Sequence, residues 1–170
     1  IVHPASAPVG FQPNRGQFAF APQAGNAGNA EYASFVAPVA AGHWLLFADG
    51  LTFMTKVRGR QCPMKLRILG SSPLCHPAGQ SDSQHKSHYY YEHCPEGITD
   101  VPTFQRIAYN NIYEGIDWIV CFNEAGQLKY DFILRPGTDP RVIRMQFEGS
   151  QLIRIDSMGQ LVIKGKETTW

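Results

Sequence analysis

No charge of one sign dominates this sequence. Lys and Arg number 15 against 14 Asp and Glu, which leaves +1 at pH 7 over 170 residues. That balance removes the electrostatic reason to expect nucleic acid or an anionic membrane as partner. Long apolar runs are missing as well. The longest candidate, His43–Phe47, is strand-sized, whereas spanning a bilayer takes roughly 20 residues. Ile1–Gly10 has no basic stretch leading into an apolar one, so it does not read as a signal peptide. A mature terminus left by cleavage and an excised fragment would both look this way. No stretch carries a sustained apolar stripe at helical period, so helix is expected to be minor, one turn around Ile112–Gly115.

Catalytic signatures are also missing. There is no G-x-S-x-G, and Ser150 after Gly149 falls in a strand-to-strand turn rather than ahead of a helix. The single glycines at 16, 25 and 28 have no strand–helix context, so neither a phosphate loop nor a dinucleotide fingerprint is present. No C-x-x-C pair occurs among Cys62, Cys75, Cys94 and Cys121, which argues against a zinc ribbon or a thioredoxin-like site. The even count permits two disulfides. Cys62 and Cys75 flank a polar connection containing Gly70-Ser71-Ser72-Pro73, so a loop-closing bridge and two free thiols are both open, as is a 94–121 pair. Cys121 lies inside an expected strand, where a buried free thiol is an equally good reading.

What the sequence does have is apolar material, 44% of residues, broken into short strand-like runs. Residues 1–31 read as an N-terminal extension that contributes an edge strand, with Pro22–Ala30 as flexible loop. Residues 32–170 read as one domain. Ser34–Val39, His43–Phe47, Leu51–Val57 and Met64–Leu69 are rich in aromatic and β-branched residues. Ala41-Gly42 and the strong hairpin signal Asp49-Gly50 separate the first three. The polar insert Ser71–Ser87 carries the composition of disorder. Farther on, Leu128, Tyr130, Phe132 and Leu134 alternate with Lys129 and Asp131, and Ile143, Met145 and Phe147 alternate likewise. With Ile155 and Leu161, the inward set of these runs is the expected core. Asn123-x-x-Gly126-Gln127-Leu128 and Asp156-x-x-Gly159-Gln160-Leu161 repeat one turn solution, an Asx cap with glycine supplying positive φ. About ten short strands with closely spaced turns give an all-β antiparallel sandwich, jelly-roll-like, with little helix.

Several motifs together carry a resemblance. They are Val101-Pro-Thr-Phe-Gln-Arg-Ile-Ala-Tyr109 with Asn111-Ile-Tyr-Glu-Gly-Ile-Asp117, then Gln127-Leu-Lys-Tyr-Asp-Phe132, Pro136-Gly-Thr-Asp-Pro140 and Phe147-Glu-Gly149. Asn14-x-Gly16-Gln17 and Gly50-Leu-Thr-Phe53 add to them. In this order they resemble an uncharacterised extracellular domain of large bacterial proteins, found N-terminal to SBBP-type β-propeller repeats or other surface modules. Proteins of that kind often end in a gliding-motility-type or type IX secretion sorting domain. The resemblance implies a secreted or cell-surface location and a structural or binding role, and it implies no reaction and no cofactor. The chain departs from the pattern at Tyr90-Tyr-Glu-His-Cys94, where the family tends to carry Tyr-Phe and a Gly-Asn-Asp type of turn.

Candidate site residues fall in three groups. His85, His88 and His93 with Cys94 form the one ligand-dense segment, but a strand at this spacing delivers at most two ligands to one zinc ion, and surface or packed histidines are the stronger reading. Glu114, Asp117 and Asp131 are the carboxylates best suited to acid–base work. Turn capping by Asp117, and pairing of Asp131 with Lys129 or an arginine, account for two of them without catalysis. Tyr89, Tyr91, Trp44 and Trp118 could stack on sugar rings or anchor a protein partner, or be consumed by the core. The expected function is therefore a non-enzymatic module that positions or attaches neighbouring domains or partner chains. A carbohydrate-binding module, or less so a glycoside-hydrolase-like enzyme, is the alternative. Nucleic acid and membrane insertion are not expected.

Overall fold

A computed structural model describes residues 9–18, 33–92, 94–159 and 161–165, the side chains of 57, 94, 151 and 165 excepted. The expectations for Pro22–Ala30 and His93 lie outside these residues. Among the described residues strand accounts for 66% and helix for 2%. The described strands are β1 (Gln12–Pro13), β2 (Phe35–Val39), β3 (Gly42–Phe47), β4 (Gly50–Val57), β5 (Arg60–Ile68) and β6 (Pro77–Tyr91). They continue with β7 (Cys94–Tyr113), β8 (Ile116–Phe122), β9 (Leu128–Leu134), β10 (Met145–Glu148), β11 (Ser150–Ile155) and β12 (Leu161–Gly165).

All pairings between them are antiparallel. One sheet has the order β1-β2-β3-β4-β5-β10, the other β6-β7-β8-β9, and β11-β12 is a separate two-stranded sheet. The chain is thus the all-β antiparallel sandwich its alternation implied. Within that class each large sheet is a meander of successive hairpins, which refines the jelly-roll-like expectation. The reason is local: from β2 to β5 and from β6 to β9, two- to five-residue turns join neighbours directly, and β10 returns to pair with β5.

The turns behave as the repeated motif requires. Asn123 Oδ1 accepts from Gln127 N at 2.9 Å, and Asp156 Oδ1 from Met158 N at 2.9 Å. Gly126 and Gly159 take φ of +73° and +78°, the left-handed region that favours glycine. At Ile112–Gly115 the expected helical turn is instead the tight β7–β8 turn, because Gly115 at φ +72° reverses the strand. The helical turn is a single 3-10 turn at Pro140–Val142, capped by Asp139.

The polar segment 77–87 is not disordered in this fold but makes up most of β6. As an edge strand it needs no apolar alternation, since the ladder to β7 holds it. The ladders that β7 makes with β6 and β8 shift register where Gln84, Asp100 and Asn111 take positive φ. Such bulges bend and twist a strand.

The inner faces of the two sheets meet in a core of Phe35, Ala37, Leu46, Leu51, Leu66 and Ile68 against Ile107, Tyr109, Ile112, Ile116, Trp118 and Val120. Leu128, Tyr130, Phe132, Ile143 and Phe147 pack at its margin, partly buried. Met145, Ile155 and Leu161 were expected inside and are 38%, 72% and 39% exposed. The cause is position: β9 and β10 are sheet edges, and β11–β12 stands outside the sandwich. A second cluster, Phe18, Ala33, Val36, Leu45 and Phe47 with Tyr89, buries the opposite face of β2 and β3.

Residues 9–18 join the layers. Phe11 exchanges both backbone hydrogen bonds with Phe104 of β7, at 2.9 and 2.8 Å, while the next two residues pair with β2. Its ring is fully buried and stacks on Phe122 at 4.9 Å. Gln12, also buried, donates to Ser87 Oγ and Thr103 Oγ1 and accepts from the Tyr89 hydroxyl. Phe11→Ala should lower unfolding free energy by about 3–5 kcal/mol in urea titrations. Tyr89→Phe, which strips a partner from a buried carbonyl oxygen, should cost about 1–3 kcal/mol. Losses below about 1 kcal/mol in both would mean that this segment is not a structural part of the sandwich.

Candidate functional site

A cleft lies at one end of the sandwich, where the loop after β9 faces the β7–β8 turn. Arg135-Pro-Gly-Thr-Asp-Pro140 is shaped by its own backbone: Arg135 N donates to Gly115 O at 2.9 Å and Thr138 N to Arg135 O at 3.1 Å. Gly137 takes φ +86°. Across from it, Tyr113 is fixed by its hydroxyl, which donates to Leu69 O at 2.6 Å. The open cleft has a volume of about 610 Å³ and is lined by these two segments and Val142.

Two opposite charges face this space without a described partner, the Glu114 carboxylate and the Arg135 guanidinium. A third and fourth neutralise each other. Arg141 Nη2 lies 2.8 Å from Asp139 Oδ2, and its side-chain and backbone hydrogen bonds hold the Asp139 carboxyl below the usual range. A carboxylate stabilised in its ionised form is a poor proton donor at neutral pH. The cleft therefore offers a hydrogen-bond acceptor, a donor fork and the 44% exposed Val142.

Of the carboxylates expected from sequence, Glu114 alone lines the cleft. Asp117 accepts from Asn111 N at 2.7 Å and so caps the bulge in β7. Asp131 lies on the solvent face of β9, its Oδ2 3.1 Å from Lys129 Nζ. The aromatic candidates need correction. Trp118 is fully buried in the core and cannot be a platform. Tyr89 and Tyr91 stack on each other at 6.2 Å, with hydroxyls committed to Gln12 and to Gln17 O. Strand alternation puts Tyr90, between them, on the other face, 68% exposed. Trp44 leans on Phe53 at 4.6 Å, partly buried. His85 and His88 are exposed, and His88 Nδ1 accepts from Asp100 N at 3.3 Å. Among the described residues no three His, Cys, Asp or Glu side chains cluster as a metal site.

Arg135, Thr138 and Val142 were not anticipated as site residues, because Arg135–Pro140 reads as a strand breaker. The signal available was its two prolines and glycine bracketed by arginines, a rigid loop carrying charge.

Cys62, Cys75 and Cys121 are free thiols, so of the two readings open for Cys62 and Cys75 the unbridged one holds, and Cys121 is unbridged as well. The reason is placement: Cys75 is buried in the main core, whereas Cys62 sits on β5 opposite Thr55. Burial first, and then the charge of Asp117, push the Cys75 thiol up from its ordinary range. Iodoacetamide at mildly alkaline pH should modify Cys62 and Cys121 in the folded chain and Cys75 only after denaturation, read by peptide mass spectrometry. Equal labelling of all three would place Cys75 outside the core.

Tyr109 is another buried titrating group. Its hydroxyl has no hydrogen-bond partner in the described structure, and burial, with lesser contributions from Cys75 and Asp49, pushes its pKa well up. The native state thus holds the phenol proton more tightly than the unfolded chain does. That stability is fully present below about pH 10, the unfolded value, and is lost as pH rises towards the folded one. Thermal midpoints should fall above that pH, and less steeply in Tyr109→Phe. At neutral pH the same substitution should be neutral or stabilising, because it removes a buried group that bonds nothing. A strong loss of stability at pH 7 would overturn this placement.

A family model described as a domain of unknown function, DUF7948, matches residues 11–170. No curated protein and no solved structure matches the chain. The match spans nearly all of the sequence, and the chain belongs to that family.

Proposed function

We propose that this member of the DUF7948 family is a non-enzymatic module of a secreted or cell-surface protein, one that works by docking neighbouring domains or partner chains. The observation that carries the reading is the β11–β12 hairpin. A two-stranded hairpin is marginally stable by itself in water, yet this one exposes Leu152, Ile153, Ile155, Met158 and Leu161 at 39–81%. Ile163 alone in the set is buried. Apolar side chains grouped on a projecting element mark an interaction site. In keeping with the sequence resemblance, the partner is an adjoining surface module such as a β-propeller repeat, and no cofactor is involved.

Carbohydrate binding is the second reading, favoured by the free Glu114 and Arg135 in the cleft. Shallow polar clefts with an apolar wall suit sugar hydroxyls and ring faces.

The two readings separate experimentally. Hydrogen exchange of residues 150–165 should be at least about tenfold slower within the polypeptide the domain belongs to than in the 170-residue chain alone, and Ile155→Ser should remove the difference. Equal exchange in both would sink the docking role. Glycan binding lost in Arg135→Ala would favour the second reading, and turnover of glycans, esters or peptides abolished by Asp117→Asn would establish an enzyme instead.

A further inference from the structure

The four-stranded sheet ends in a strand whose outer side no described residue pairs. β9 bonds to β8 along its whole length without a register shift and lies last in the sheet order. Its seven residues contain neither proline nor glycine. An unpaired regular edge of this kind is a template for another strand. Its solvent face carries one cation and one anion, Lys129 and Asp131, 57% and 48% exposed. Its inner face carries Leu128, Tyr130, Phe132 and Leu134, all only partly buried.

The residue order makes β9 complementary to a copy of itself. In antiparallel pairing centred on Tyr130, Lys129 of each copy stands opposite Asp131 of the other on the solvent face. On the inner face Tyr130 meets Tyr130, and Leu128 meets Phe132. Three nearby registers fail on charge. Centring on Asp131 sets carboxylate against carboxylate, centring on Lys129 sets ammonium against ammonium, and centring on Phe132 sets Lys129 against Arg135. Opposite charges facing each other stabilise an antiparallel pair and like charges destabilise it. We infer that β9 is a dimerisation edge, through which a second copy of this chain continues the four-stranded sheet into one of eight strands. The contact is isologous, each copy giving and receiving the same pairs, as a two-fold dimer requires.

The 170-residue chain in sedimentation velocity tests this, over about a hundredfold range of concentration. Reversible dimerisation is expected. Lys129→Glu alone and Asp131→Lys alone each place like charges opposite one another twice, and each should weaken the dimer at least about tenfold. Mixing the two variants should restore a dimer containing one of each, because every substituted side chain then faces an unlike charge. A chain monomeric throughout, a dimer that neither reversal weakens, or variants that mixing does not restore would each overturn the inference. Amide exchange along 128–134 in the unsubstituted chain is independent of any folding defect in the variants. Protection there should rise with concentration, and exchange that ignores concentration overturns the proposal.

Discussion

Phe11 is hydrogen-bonded to the four-stranded sheet while the two residues after it are paired into the six-stranded one. Closure of one side of the sandwich depends on that double attachment. A two-residue strand has almost no ladder of its own, so what holds it is side-chain burial. Placing a whole phenylalanine out of water is worth about 1.5–3 kcal/mol, and the ring stacks on Phe122 in the process. The buried amide of Gln12 then makes the attachment specific, because each of its partners comes from β6 or β7. A buried amide satisfied on all sides fixes one arrangement, and a half-satisfied one is costly. Through Tyr89 the same network reaches the second cluster over β2 and β3. The N-terminal segment, the far end of the long hairpin and the back of the six-stranded sheet are thereby one packing unit.

Much of this architecture was legible from periodicity. Ser34–Val39, His43–Phe47 and Leu51–Val57 became β2, β3 and β4 within a residue or so at each end, because alternation and Gly turns act locally. The inward face of β9 was legible for the same reason. Depth was not. Alternation says which residues share a face, but Met145 and Phe147 share one and differ in exposure, since burial depends on whether another layer covers the strand. β6 escaped notice because an edge strand held by its backbone ladder has no need of an apolar pattern. The cysteines show the same limit: flanking a short connection in sequence did not bring Cys62 to the buried Cys75.

At the candidate site the carboxylates were identifiable by type but not by task. Asp117 is consumed in holding Asn111 at positive φ, a conformation that non-glycine residues keep only where the surroundings enforce it. Asp139 caps the 3-10 turn and pairs with Arg141. Both are short polar side chains bonding nearby backbone, the usual use of aspartate in loops. Chemistry of the acid–base kind needs groups whose environments drive their pKa values apart, and an aspartate fixed to an arginine is driven the wrong way for a proton donor. Glu114 and Arg135, by contrast, line the cleft without a described hydrogen-bond or ion-pair partner.

The edges of the two large sheets differ in a way that bears on what the surfaces do. β1 has two residues and β10 four, and short edges offer little to a foreign strand. β6 is long, but its ladder shifts register around Gln84, which takes positive φ, and its side chains are largely polar, so its edge does not suit flat pairing. β9 has none of these protections. It is unbroken, its ladder runs in register from Leu128 to Leu134, and its inner side chains stay partly exposed. Sequences that blunt three edges and leave the fourth regular do not owe the difference to a general tolerance of open strands. Among the described residues, the regular edge of β9 and the apolar β11–β12 hairpin thus leave regular backbone and grouped apolar side chains uncovered.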